Sequence, residues 1–140
     1  MKISELRKKS NQFTANLRTI ISKMVEDNDD KLIELNQKQL KGNKNAKGES
    51  IRPLYSESYA RKKGYYEPDG YLTGQMYREM FAVVDENKLT YDLSSFAEHT
   101  KYFANRYGDV VFGISPSNQP TAQRYYTAML TAKYKQMVLS

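Results

Sequence analysis

From Ile3 to Met24, the apolar residues Ile3, Leu6, Phe13, Leu17, Ile20 and Met24 recur at helical spacing, with Ser10 as the one polar member of the series. That spacing places them on a single helical stripe. Arg7, Lys8, Lys9, Arg18 and Lys23 fall on the other face, so residues 1–28 predict a long amphipathic N-terminal helix with a basic outer side, ended by the polar cluster Asp27 to Asp30. The stripe has two possible destinations, the chain's own core or a neighbouring subunit. A second series, with Tyr126, Met129, Leu130, Lys133, Met137 and Val138, predicts an amphipathic C-terminal helix over 120–138, started by the turn-forming SPSNQP.

Between these ends the pattern is shorter in period. Leu32, Ile33, Leu35 and Leu40 suggest a short helix over Lys31 to Leu40. Residues 41–50, KGNKNAKGES, contain no large apolar side chain and predict a flexible basic loop, because nothing there offsets the entropy of ordering. YSESYARKK reads as a short helix capped by Ser56 and stopped by Gly64, and EPDG at Glu67 to Gly70 is a strong turn signal. Thr73 is placed to cap a helix over Gly74 to Arg78 that runs into a strand at Met80 to Val84. A polar turn at 85–88 and the alternation of Leu89, Tyr91 and Leu93 complete a β-hairpin. Ser95 to Tyr107 predicts a helix stopped by Gly108, and Val110 to Ile114 a third apolar strand. The expected class is α+β: a small antiparallel or mixed sheet of roughly three to four strands flanked by helices. The sheet-containing core is expected at 71–114, within a single domain over 1–140.

Composition narrows the chemistry. There is no Cys and a single His, His99, which excludes disulfides, thiolate nucleophiles and sites needing two imidazoles. Asp27, Asp29, Asp30 and Glu34 resemble a calcium loop in content but lack its central Gly and terminal bidentate Glu. Gly70, Gly74, Gly108 and Gly113 form no phosphate-cradling motif. The reading is therefore noncatalytic, with no catalytic, cofactor-binding or metal-binding residue nominated. No apolar run approaches the roughly 20 residues of a membrane span, and MKISELRKKS lacks a secretory segment, so synthesis in the cytoplasm without a membrane partner is expected.

The net charge is +6. Its densest region runs from Lys38 to Lys63, where Lys38, Lys41, Lys44, Lys47, Arg52, Arg61, Lys62 and Lys63 are interleaved with Tyr55, Tyr59, Tyr65 and Tyr66. Cations with aromatic neighbours suit a nucleic-acid backbone or an acidic protein surface; equally, they describe a solvated loop whose tyrosines pack inward. The interface candidates are thus Arg52, Tyr55, Tyr59, Arg61, Lys62 and Lys63, with the terminal stripes Ile3, Leu6, Phe13, Leu17, Ile20 and Met24, and Tyr126, Met129 and Met137.

The order and spacing of LNQKQL at Leu35 to Leu40, YSESYARKKG at Tyr55 to Gly64, YLTGQMYREMF at Tyr71 to Phe81 and YFANRYGDVVFGIS at Tyr102 to Ser115 resemble a group of small bacteriophage virion morphogenesis proteins, of the head–tail connector or tail-completion type. In such proteins LTG marks the loop entering the sheet, and RYG the corner from helix to strand. The long N-terminal helix and the segment after Ser115 lie outside the likeness. The resemblance implies a virion subunit assembled in the host cytoplasm, forming a homo-oligomeric ring or docking on portal, neck or tail proteins. Nucleic acid is the second partner class to weigh.

Overall fold

The computed structural model describes residues 1–140 and contains seven α-helices, one 3-10 turn and one β-hairpin. The class is α+β, with a two-stranded antiparallel sheet rather than three or four strands.

The N-terminal stripe folds as two helices, α1 (Ile3–Ala15) and α2 (Leu17–Asp27), not as one. The break has a local cause. Thr14 Oγ1 donates to the Ser10 carbonyl and Asn16 Nδ2 to the Gln12 carbonyl, so two successive short polar side chains compete for helical acceptors and the backbone turns at Asn16. α1 then lies antiparallel to the last helix, α7 (Gln119–Val138): Lys9 Nζ reaches the Ser140 carbonyl, and the Phe13 ring meets Tyr134 edge-on at 5.1 Å. Ser10, the polar member of the stripe, sits 3.5 Å from the Tyr134 hydroxyl.

α3 (Asp30–Lys41) runs where the short helix was expected. Its buried Leu32 and Leu35 join Met24 and Val25 of α2, Ala82 and Leu93 of the hairpin, and Ile114 and Ala122 in one apolar cluster. A second cluster gathers Leu40, Ile51, Met76, Tyr77, Ala97, Phe103 and Val111.

Residues 41–50, expected as a flexible loop, fold into a closed turn. An isolated bridge joins Lys44 to Ser50, and Asn45 Oδ1 accepts from the amides of Lys47 and Glu49. Asparagine here supplies from its side chain the closure that apolar burial does not.

After α4 (Glu57–Lys63) and α5 (Gln75–Arg78), the hairpin pairs β1 (Met80–Asp85) with β2 (Thr90–Ser95) in the register Ala82↔Leu93 and Val84↔Tyr91. The β1 amides of Ala82 and Val84 point away from β2 and donate to Asp29 Oδ2 and Glu26 Oε1, at 3.0 and 2.8 Å. Those carboxylates close the outer edge of β1, which is one way a protein blunts an unpaired strand. Ser95 ends β2 instead of capping a helix, its Oγ donating to the Met76 carbonyl, and α6 begins only at Thr100 (Thr100–Tyr107).

The expected strand at Val110 to Ile114 is absent; a 3-10 turn at Asp109–Val111 leads into an extended stretch whose backbone bonds to side chains. Asn36 Nδ2 donates to the Val111 carbonyl and Asn36 Oδ1 accepts from Gly113 N, both at 3.1 Å; Gln39 Nε2 donates to the Gly113 carbonyl at 2.8 Å and its Oε1 accepts from Ser115 N at 2.9 Å. Two carboxamides one turn apart on α3 thus replace a strand neighbour, satisfying buried polar backbone as a ladder would.

Candidate functional site

The richest concentration of polar and aromatic side chains lies between α4 and α6. α4 forms as its sequence dictates: Ser56 Oγ accepts from Tyr59 N, Glu57 opens the first turn, Arg61, Lys62 and Lys63 complement the carbonyl end, and Gly64 ends it at φ 88°. The chain doubles back, with Tyr55 N donating to the Tyr66 carbonyl, and the bend opening at Glu67 brings Asp69 within reach of Lys63 at the end of α4.

Asp69 is a hub. Its Oδ2 accepts from the Tyr65 hydroxyl at 2.8 Å, its Oδ1 accepts from Tyr71 N at 3.0 Å, and Lys63 Nζ stands 3.5 Å from Oδ1. The Tyr77 hydroxyl donates to the Asp69 carbonyl. The Lys63 ammonium also lies 5.2 to 6.0 Å from the ring centres of Tyr65, Tyr55 and Tyr59, and it donates to the Tyr71 carbonyl. Both charged side chains are largely removed from water, at 14% and 15% exposure, where cation–π attraction is strongest.

From the other side, α6 presents Tyr102, Arg106 and Tyr107 around the buried Phe103. His99, just before the helix, places Nε2 at 3.1 Å from the Gly70 carbonyl, which ties α6 to the segment Glu67 to Gly70. Between Tyr55, Ser56 and Tyr59 on one wall and His99, Tyr102, Phe103, Arg106 and Tyr107 on the other lies a groove of about 350 Å³. Tyr102 at its mouth is 64% exposed.

Burial, followed by the negative charge and hydrogen bonding of Asp69, pushes the Tyr65 phenol well above its ordinary range. For Tyr55 and Tyr77 burial is again the main cause, with the Asp69 charge adding to it. These hydroxyls stay protonated at neutral pH, so they act as hydrogen-bond donors and apolar walls, not as phenolate bases. No three His, Asp or Glu side chains come together in a way that would hold a metal ion.

The structure distributes the sequence-predicted residues unevenly. Tyr55, Tyr59 and Lys63 converge on the groove and its hub. Arg61 turns to Glu57 at 2.6 Å, Arg52 donates to Asn43 Oδ1 and the Ile51 carbonyl, and Lys62 is exposed on α4. Of the terminal stripes, Phe13 and Met24 are buried, Leu6, Leu17 and Ile20 half-buried, and Ile3 is 79% exposed. Tyr126 and Met129 pack against the first cluster, Tyr126 also donating to the Asn28 carbonyl at 2.6 Å, while Met137 is exposed. The two stripes therefore meet each other within the molecule. The acidic group near Asp27 is divided between tasks, Asp29 closing β1 and Glu34 pairing with Lys38 at 3.1 Å.

Sequence reasoning missed Asp69, which read only as a turn residue, and the α6 wall. The spacing of Tyr102, Arg106 and Tyr107, four and five apart on a helix, was the available signal for that wall.

In comparisons with known proteins, no family model, no curated protein and no solved structure matches the chain.

Proposed function

We propose that this chain is a noncatalytic assembly subunit of a bacteriophage particle, of the head–tail connector or tail-completion type, and that the groove between α4 and α6 is where it grips a neighbouring protein. The observation that carries the binding part is the groove's construction. Aromatic side chains are held by a half-buried Lys63–Asp69 hub behind them, with exposed Tyr102 and Arg106 at the rim. Tyrosine and arginine anchors over a rigid, partly desolvated base are the usual makings of a protein-binding hot spot. The virion context rests on the likeness of the LNQKQL, YSESYARKKG, YLTGQMYREMF and YFANRYGDVVFGIS segments. Assembly into a ring would let modest contacts add up across copies.

Nucleic acid is less favoured because much of the basic region is already engaged. Lys63 is enclosed with Asp69, Arg61 pairs with Glu57 and Lys38 with Glu34, and Lys44 donates to Ser50 Oγ. A cation turned to a carboxylate contributes little to counterion release from a phosphate backbone.

Sedimentation velocity of the purified chain, alone and with tail-less and head-less particles of its phage, tests the proposal. Oligomerisation, or co-sedimentation with one of the particle types, is the expected result. A chain that stays monomeric at every concentration and sediments with neither particle overturns it.

A further inference from the structure

The hairpin has one closed edge and one open one. Since Ala82 and Val84 direct their amides at Asp29 and Glu26, the register Val84↔Tyr91, Ala82↔Leu93 and Met80↔Ser95 makes these the non-hydrogen-bonded pairs of the ladder. Phe96 N donating to the Glu79 carbonyl fits the same phase. The backbone amides and carbonyls of Tyr91, Leu93 and Ser95 therefore point outward from β2, away from β1, roughly 7 Å apart along the strand. None of them takes part in another backbone or side-chain hydrogen bond.

They face a groove of about 710 Å³. Its floor is β2, and its far wall is Phe112, Gly113 and the flank of α6. The segment expected as a third strand thus stands off β2 across an open slot, held there by Asn36 and Gln39. Asp92, Glu98 and Asp109 line the slot against a single ammonium, Lys101, and none of the four belongs to an ion pair. On a chain of net charge +6 the slot is locally acidic. Phe96, 75% exposed and stacked on Phe81 at 4.1 Å, gives it an apolar end.

We infer that the open edge of β2 receives an extended, basic segment of another polypeptide as a third strand. Main-chain hydrogen bonds to positions 91, 93 and 95 supply the grip, and Asp92, Glu98 and Asp109 select cationic side chains over acidic ones. A second copy of this chain pairing β2 to β2 is disfavoured, since it would bring like carboxylates together across the new ladder. The inference concerns a different surface from the α4–α6 groove and does not depend on the virion reading.

Amide hydrogen exchange of the full ¹⁵N-labelled chain, followed by NMR, tests it with three acetylated and amidated heptapeptides as probes: alternating Lys and Val, alternating Glu and Val, and the Lys–Val sequence N-methylated at alternate residues. We expect the Lys–Val peptide to slow exchange at Tyr91, Leu93 and Ser95 by about tenfold or more, and the other two to leave it unchanged. The Asp92→Lys, Asp109→Lys double variant, altered only at exposed positions, should lose the effect while keeping its thermal midpoint. No slowing with the Lys–Val peptide, or equal slowing with the Glu–Val or N-methylated peptide, would overturn the inference. So would protection that rises with protein concentration in the absence of peptide, because a second copy would then be the occupant.

Discussion

Lys63 Nζ stands 3.5 Å from Asp69 Oδ1 inside a ring of tyrosines, and both side chains are mostly hidden from water. Asp69 holds more than its ion pair: the Tyr65 hydroxyl, the Tyr71 amide and, at 3.4 Å, the Tyr55 hydroxyl also donate to it. Removing the carboxylate takes the acceptor from the Tyr65 and Tyr55 hydroxyls and the Tyr71 amide and leaves the enclosed Lys63 ammonium without a counter-charge, with the Tyr71 carbonyl as its remaining acceptor. Removing the ammonium leaves the carboxylate with its neutral donors.

The two substitutions should therefore differ. We expect Asp69→Ala to cost about 3 kcal/mol, as a half-broken buried pair does, and Lys63→Met about 1 kcal/mol, because methionine refills the space against the rings. Urea unfolding of both variants measures the difference, and equal losses would mean that the hub is not organised around Asp69.

Asn36 and Gln39 carry the second prediction. Each spans two backbone groups of residues 111–115, and they share Gly113. Asn36→Ala and Gln39→Ala should each cost about 2 kcal/mol, and the double variant should depart from their sum, since the sites touch the same residue. A double-mutant cycle by chemical denaturation reads the coupling directly.

Glycine substitutions should separate by position. Gly113 has φ 134°, and a Cβ there would meet Ala46 Cβ at 2.8 Å; Gly64 has φ 88° with nothing near its missing side chain. Gly113→Ala should cost about 3 kcal/mol and Gly64→Ala about 1 kcal/mol, both followed by thermal midpoint.

A fourth prediction concerns alkaline pH. Tyr55, Tyr65, Tyr77, Tyr91 and Tyr126 have phenols raised chiefly by burial. A folded pKa above the unfolded one means that stability is complete below pH about 10 and falls as pH climbs further, because the unfolded chain then loses protons that the folded chain keeps. Tyrosinate absorbance at 295 nm should rise in two phases, the later one coinciding with loss of helical circular dichroism. A single phase completed while the helices persist would contradict the buried state of these phenols.

Local signals were legible in the chain and long-range ones were not. The Ser56 cap, the Gly64 stop and the alternation of Tyr91 and Leu93 each lie within a few residues and stand in the structure, whereas Leu89 falls in the connecting turn at φ 52° and Glu67 to Gly70 forms an open bend without a closing hydrogen bond. The third strand failed because Val110 to Ile114 has strand-like side chains but finds its partners on α3, more than seventy residues earlier in the chain. The continuous N-terminal helix failed because the apolar stripe hides what Thr14 and Asn16 do to the backbone. The groove draws its two walls from segments far apart in the chain, brought together through the His99–Gly70 contact and the packing of Phe103, and no short window contains both.

The central claim, assembly through the α4–α6 groove, is tested most directly by quantitative mass spectrometry of purified phage particles. They would be grown with either the natural chain or a Tyr59→Ala, Tyr102→Ala variant shown to keep its thermal midpoint. We expect the natural chain at a fixed small ratio to the major head protein and the variant strongly depleted. Particles that lack the natural chain, or that incorporate both forms equally, would contradict it.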